Sequence, residues 1–272
     1  MSRVAFSPDS SVVAEVVPSP NHGERQGGRR PDMILLHYTG MPEAKGALDF
    51  LRASASQVSC HYFVFEDGRI VQLVQESRRA WHAGAASWAG ETDINSCSIG
   101  IEIANGGHDN FYPDYPRRQI AAVTALCRSI LTRNQIPPTR VLGHSDVAPS
   151  RKRDPGEKFP WRVLYDSGVG HWVKPAPITE GPMLALGDRG EAVRAVQGAL
   201  ADYGYGIDAN GMYDSSTHEI VMAFQRHFRP ELIDGVSDES TRATLRELLI
   251  HRARPRSIAA RVITFDPLII AS

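Results

Sequence analysis

The stretch Gly143-His144-Ser145-Asp146-Val147-Ala148-Pro149-Ser150-Arg151-Lys152-Arg153-Asp154-Pro155-Gly156 constrains this chain more than any other. Its prolines and glycines disfavour a long helix and a central strand, so it reads as a loop. That loop carries a histidine, a lysine eight residues on and an aspartate ten residues on. Imidazole and carboxylate are both good ligands for a zinc-like ion. Far upstream, Ile34-Leu35-Leu36-His37-Tyr38-Thr39-Gly40 puts a second histidine at the end of an apolar strand. A fold that brings these segments together makes a His/His/Asp zinc site with its fourth position open, the arrangement of a hydrolytic enzyme.

The rest of the pattern says what could hold such a site. Residues 1–31 are rich in Ser, Pro, Gly and Arg and read as an irregular leader. Met33 to His37 reads as a buried strand. Helical spacing over Pro42 to Arg52 puts Ala44, Ala47, Leu48 and Leu51 on one face. Cys60 to Phe65 and Arg69 to Val74 are short strands joined at Glu66-Asp67-Gly68, a strong hairpin signal. Ser98 to Ala104 is another strand. Pro116 to Asn134 is the clearest helix, with an apolar stripe of Ile120, Val123, Cys127, Ile130 and Leu131. Arg140 to Leu142 feeds the His144 loop. The sum is an α/β (α+β) domain over 32–172. The three prolines of 173–182 read as an extended linker that keeps the C-terminal segment separate. Residues 183–250 then change to three helical patterns, a small three-helix domain. Capping boxes are expected at Asp188-Arg189-Gly190-Glu191 and Ser216-Thr217-His218-Glu219, with Asp238 starting the third helix. The tail, 251–272, is basic and then apolar, and its pattern points to no function.

Composition excludes several classes. At 272 residues and 42% hydrophobic, the chain can hold a real core in one large domain or two ordinary ones. A formal charge of −1 argues against nucleic-acid binding by bulk charge. Cys60, Cys97 and Cys127 are odd in number and widely spaced, and read as buried reduced thiols. Asp9 and Glu15 interrupt the apolar residues near the start, so no signal-peptide core of ~7–15 residues is present. No run of ~18 apolar residues marks a transmembrane segment. The chain as it stands reads as cytoplasmic, with the periplasm or cell envelope as the alternative if a signal has been removed. Nothing in it sets an oligomeric state. His22, His108, His171, His218 and His227 read as surface residues.

A zinc hydrolase also needs a base. Glu102, in Ile99-Gly100-Ile101-Glu102, is the natural candidate: on an alternating strand it points with Gly100, away from Ile101 and Ile103. The bland alternative is an edge-strand glutamate in water. Lys152 can stabilise the oxyanion of a tetrahedral intermediate; without its flanking ligands it would read as part of a solvated Arg-Lys-Arg loop.

The chain resembles the zinc-dependent N-acetylmuramoyl-L-alanine amidases of the AmpD/AmiD group, relatives of peptidoglycan-recognition proteins and phage amidases. The resemblance rests on Leu-Leu-His37-Tyr38, Ser-Cys-His61-Tyr62-Phe-Val-Phe-Glu-Asp-Gly-Arg-Ile, Arg-Ala-Trp81-His82-Ala-Gly, Ser-Ile-Gly-Ile-Glu102 and the His144 to Gly156 loop, in family order over about residues 31–165. It implies a mixed central β-sheet flanked by helices. It implies one Zn2+ per chain, held by His37, His144 and Asp154, with Glu102 as acid/base and Lys152 supporting the oxyanion. The implied reaction cleaves the amide between N-acetylmuramic acid, or its 1,6-anhydro form, and L-alanine in peptidoglycan or muropeptides, during cell-wall turnover or recycling. Tyr38, His61, Tyr62, Trp81 and His82 would line the substrate groove; ordinary strand and core packing is the alternative for them.

The C-terminal segment resembles the peptidoglycan-binding type 1 module, through Leu184-Ala-Leu-Gly187-Asp-Arg-Gly190-Glu-Ala-Val193, Asn210-Gly211-Met-Tyr213, Phe224-Gln225 and Asp234-Gly235. Met212-Tyr213 and His227-Phe228-Arg229-Pro230 depart from its usual pattern. The module would bind glycan, or serve as a structural appendage that shapes the groove. The competing function is a non-catalytic peptidoglycan-binding or sensing protein. It would need a missing ligand or base, and none is missing. A zinc peptidase would need a His-Glu-x-x-His helix, which is absent.

Overall fold

The structure, a computed structural model, describes residues 6–253. In chain order it contains strands β1 (Glu15–Val16), β2 (His22–Glu24) and β3 (Met33–Tyr38), helix α1 (Ala44–Arg52), strands β4 (Tyr62–Val64), β5 (Ile70–Gln72) and β6 (Arg78–Ala80), helix α2 (Ile94–Cys97) and strand β7 (Ser98–Ile103). After these come helix α3 (Arg117–Arg133), strand β8 (Val141–Gly143) and helices α4 (His144–Val147), α5 (Trp161–Asp166), α6 (Glu191–Tyr203), α7 (Ser215–Phe228) and α8 (Glu239–Ala253).

Six strands form one mixed sheet in the order β1-β5-β4-β7-β3-β8. Strands β4, β7, β3 and β8 are parallel, while β5 returns antiparallel to β4 through the Asp-Gly turn. The middle strands carry apolar side chains in unbroken runs because both faces of the sheet are covered: Met33, Ile34, Leu35 and Leu36 are all fully buried. Ile34, Leu36, Ile99, Ile101 and Ile103 pack against the stripe of α3, namely Ile120, Val123, Cys127 and Ile130. Met33 and Leu35 belong to a cluster on the other side that also contains Val193, Leu200, Phe224 and Leu248 of the C-terminal helices.

That shared cluster corrects the picture of a separating linker. Proline keeps residues 173–182 extended, but the segment is fastened down: Ala176 donates to Thr244 Oγ1 at 3.0 Å and accepts from Ser240 Oγ at 2.6 Å. The segment expected to be an irregular leader is also structured. Strand β1 pairs with β5 and β2 with β6. Arg25 is buried, with its guanidinium donating to the carbonyls of Glu76, Asn95 and Ser96. A short segment rich in Ser and Pro carries little apolar periodicity, so its pairing is set by the strands it meets.

The expected capping boxes do not form. Helix α6 starts at Gly190 with no side-chain cap, and α7 is capped by Asp214, whose carboxylate accepts from Thr217 N at 2.8 Å. Asp238 does cap α8, accepting from Thr241 N at 2.7 Å. The three cysteines are buried and unbridged, as expected. Among the described residues no helix is long and apolar enough to cross a membrane. The tail beyond residue 253 lies outside the described residues; residues 251–253 close α8.

Candidate metal centre

Sheet register assembles the site. His37 and Glu102 are paired in register on the adjacent parallel strands β3 and β7, so their side chains share one face. Gly143 pairs with Leu36 on the other side of β3, so the chain leaves β8 into α4 with His144 next to His37. Asp154 returns from the loop and is fastened by Ser145 N, which donates to its carbonyl at 2.9 Å. His37 Nδ1, His144 Nδ1 and Asp154 Oδ2 then form a triangle with sides of 2.9, 3.0 and 3.1 Å. All three residues are buried.

The hydrogen bonds behind the triangle set the proton positions. His144 Nε2 donates to the Ala83 carbonyl at 2.9 Å, which leaves its Nδ1 lone pair facing inward. Ser98 Oγ donates to the Ile94 carbonyl at 2.6 Å and therefore accepts from His82 Nε2 at 3.3 Å. His82 Nδ1 is then an acceptor, and takes the Nε2 proton of His37 at 3.1 Å. Three lone pairs thus converge with no proton between them. Acceptors at this spacing repel unless a cation joins them, and their separations approach the ~3.3 Å expected between ligands of a tetrahedral ion with bonds of ~2.0–2.1 Å. The residues present fit a zinc-like ion.

Electrostatics agree. Burial, together with the neighbouring His144, pushes His37 down to about 4, so its imidazole stays neutral and ready to ligate. Burial alone would raise the Asp154 carboxyl, but positive charge or a proton on the His144 and His37 side outweighs it and holds the group well below the usual carboxylate range. With both imidazoles neutral, a bound cation would fill that role. Glu102 is the opposite case. Burial and the nearby Asp154 charge push it well above the usual range, with Lys152 opposing. Its Oε2 is buried and has no hydrogen-bond partner among the described residues. A carboxylate at the wall of the cleft, with one oxygen buried and unpaired beside a metal triangle, is poised to accept a proton.

A cleft of about 530 Å³ opens over these groups. His37, Tyr38, Trp81, Glu102, Lys152 and Asp154 line it, as the sequence leads one to expect. His61 and Tyr62 do not: both are fully buried. His61 accepts from Gly100 N at 2.9 Å and donates to the Arg78 carbonyl at 3.0 Å, while Tyr62 OH donates to Glu76 Oε1 at 2.6 Å. Strand alternation turns Tyr62 to the α3 side of the sheet, whereas His61, on the site face, is covered by His82, whose ring centroid lies 5.7 Å away. His82 touches the cleft but is mostly buried, and its polar contacts are to His37 and Ser98.

Other residues near the site carried no sequence signal. His108, expected on the surface, joins Tyr38 OH at 2.9 Å to Glu157 Oε2 at 3.1 Å. His227 is buried, not exposed, and bonds to Asp146 Oδ2 at 2.7 Å. Arg151 holds the carbonyls of Ala83 and Ala85, which fixes the segment that His144 leans on. Only its place in the His144 loop could have drawn attention to it.

The sequence pattern of the N-acetylmuramoyl-L-alanine amidase family matches residues 27–157, and that of a peptidoglycan binding domain matches residues 189–245. The N-acetylmuramoyl-L-alanine amidase AmiD of Escherichia coli (strain K12) is 35% identical over 240 residues, covering 81% of this chain and 83% of AmiD. The 1,6-anhydro-N-acetylmuramyl-L-alanine amidase AmpD of Citrobacter freundii is 34% identical over 172 residues, which is 56% of this chain and 90% of AmpD. Among solved structures, E. coli AmiD in complex with the substrate anhydro-N-acetylmuramic acid-L-Ala-D-gamma-Glu-L-Lys superposes with a TM-score of 0.71 at 32% identity. It covers 85% of this chain and 98% of that one.

Proposed function

The chain belongs to the N-acetylmuramoyl-L-alanine amidase family, and on that premise we propose that it hydrolyses the amide between the lactyl group of N-acetylmuramic acid and L-alanine, with 1,6-anhydro-muropeptides as substrates. We assign residues 32–172 as the catalytic unit and 183–250 as an appended peptidoglycan-binding-type module. The anhydro preference rests on AmiD, a relative that spans both modules and is known in complex with such a substrate.

His37, His144 and Asp154 would hold one zinc ion, which when bound lowers the pKa of water and polarises the scissile carbonyl. Glu102 takes the proton of the attacking water as the new C–O bond forms. It returns that proton to the alanine nitrogen as the C–N bond breaks, so the carboxylate is regenerated with each turnover. Lys152 faces the cleft and offsets the negative charge that develops on the carbonyl oxygen. Trp81 supplies a half-buried aromatic surface for sugar or stem peptide. His82 acts from behind: it orients His37 rather than touching substrate.

Glu102, with its Oε2 buried and unpartnered beside a complete donor set, carries this reading, because a protein that only binds peptidoglycan has no use for such a carboxylate there. The test is zinc content and turnover, on anhydro-muropeptide and on intact sacculi, for wild type beside Glu102→Gln. About one zinc per chain is expected in both proteins. Turnover in the variant should fall ~10²–10⁴-fold, the usual worth of a general base, and soluble anhydro fragments should be the better substrate. Absence of both zinc and turnover in the wild type would leave a binding protein.

A further inference from the structure

The helix that carries His144 is a single turn, His144–Val147. One turn has no stability of its own, so whatever fixes it also fixes a corner of the metal triangle. Asp146, in the middle of that turn, has a side chain with no exposure to solvent. Its carboxylate accepts three hydrogen bonds. One is local, from Gly143 N at 2.8 Å. The other two come from the C-terminal module: Tyr205 OH at 2.8 Å and His227 Nδ1 at 2.7 Å. His227 cannot swing away, because its ring is stacked between Trp161, at 3.7 Å, and Phe228, at 3.8 Å.

The same module grips the surroundings of His144 at other points. Ala83, whose carbonyl accepts the His144 Nε2 proton, begins a segment that continues to Trp88. Ser87 N donates to the Val147 carbonyl at 2.8 Å, and Ala89 N to the Gly204 carbonyl at 2.7 Å. The Trp88 ring packs edge-on against Tyr205. A Cβ at Gly204 would come within 2.5 Å of that ring. On the far side of the cleft, Arg226 of α7 pairs with Glu157 at 3.6 Å, Glu157 accepts from His108, and His108 accepts from Tyr38 OH. Both the turn bearing His144 and the residue after His37 therefore have supports that end on the C-terminal helices.

We propose that the C-terminal module is a positioning element of the metal site: Tyr205 and His227, converging on Asp146, hold the turn that presents His144. This rests on the reading of His37, His144 and Asp154 as metal ligands. It goes beyond a wall-anchoring role, since removing the two donors would leave a buried carboxylate two residues from a ligand with one bond instead of three. Such a carboxylate would draw the turn toward another donor and away from the triangle.

The experiment compares wild type with His227→Leu, His227→Asn and Tyr205→Phe. It reads zinc affinity by chelator competition on the metal-free proteins, and kcat and KM on anhydro-muropeptide at saturating zinc. Partners behind metal-holding side chains are worth ~10–100-fold in affinity. His227→Leu should weaken zinc about tenfold and lower kcat with little change in KM. Asn, which can place an N–H where Nδ1 stands, should recover much of both. Tyr205→Phe deletes one hydroxyl and decides the matter should the Leu variant fail to fold; it should weaken zinc several-fold. Zinc affinities within twofold of wild type in folded variants would overturn the proposal, as would equal defects in the Leu and Asn variants. A wild type that binds no zinc would instead refute the metal reading itself.

Discussion

At the scale of single residues, the site is a set of groups kept in unfavourable protonation states. Glu102 sits well above the usual carboxylate range because burial, then Asp154, penalises its charge. In the metal-free protein, its contribution to stability is therefore full below its unfolded value of ~4.3 and is lost as pH rises through the elevated folded value. Glu102→Gln, neutral at every pH, should melt with wild type near pH 4 and progressively above it toward pH 8. A wild type that melts higher than the variant at pH 8 would contradict this assignment. The histidines run the other way. Burial is the leading cause that lowers His37 to about 4, His61 to about 3 and His82 well below its ordinary value. The unfolded chain takes these protons near 6.5 and the folded chain does not, so their stability is present above ~6.5 and lost as pH falls toward the folded values. Melting temperature of the metal-free protein should drop between pH 6.5 and 5, before ordinary carboxylates titrate; a flat profile there would be incompatible with three buried neutral imidazoles. His37, Glu102 and Asp154 were legible because their residue types and places in the pattern point to one chemistry. His82 does reach the cleft, but its contact with His37 was not legible, since sequence shows a histidine after a tryptophan but not that its ring faces His37 from behind.

At the scale of elements, strand β7 does two jobs in six residues. Ile99, Ile101 and Ile103 face α3, while Gly100 and Glu102 face the site. Gly100 has no side chain for a steric reason: a Cβ there would stand 2.5 Å from the His82 ring. Gly100→Ala should push His82 off His37, costing ~1–3 kcal/mol of stability as an overpacked core does. It should also weaken zinc binding, although neither residue is a metal ligand. Thermal melts and chelator competition on the purified variant measure both effects, and an alanine variant with wild-type zinc affinity would show that His82 does not orient His37. The alternation of β7, the Asp-Gly hairpin and the stripe of α3 were all readable, because local period and turn chemistry decide them. The caps of α6 and α7 were misread for local reasons. The Asp188 carboxylate accepts from Ala185 N in the preceding turn, leaving Gly190 to open α6. At α7, Asp214, Ser215, Ser216 and Thr217 crowd the start, so the one that caps is chosen by where the preceding turn ends. Asp214, not Ser216, stands at that place in α7.

At the scale of the whole molecule, the sequence suggests two bodies on a proline spacer, and the structure shows one apolar cluster running through both. Composition changes at residue 183, which is why the pattern suggests a boundary there. Pattern cannot show whether helices dock, because the apolar faces that meet, Met33, Leu35 and Trp88 on one side and Val193, Leu200 and Phe224 on the other, look like the private cores of separate domains. The distinction has a measurable consequence. A chain ending at Lys174 would keep the metal ligands and Glu102 but uncover Trp88, which is 1% exposed in the intact protein, and remove both donors from the outer side of Asp146. Losing ~5 kcal/mol of apolar cover, the equivalent of two or three large side chains, lowers the melting point of a domain this size by about 10–20 °C. Trp88 emission should shift to the red and an apolar dye should bind. Independent bodies would instead give a truncated chain that melts within ~3 °C of the intact one with unchanged tryptophan emission. Refolding the truncated chain with excess zinc separates loss of cover from loss of metal. If the metal triangle alone set the stability, zinc would restore the melting point; if the helices cover the sheet, it would restore only part of it.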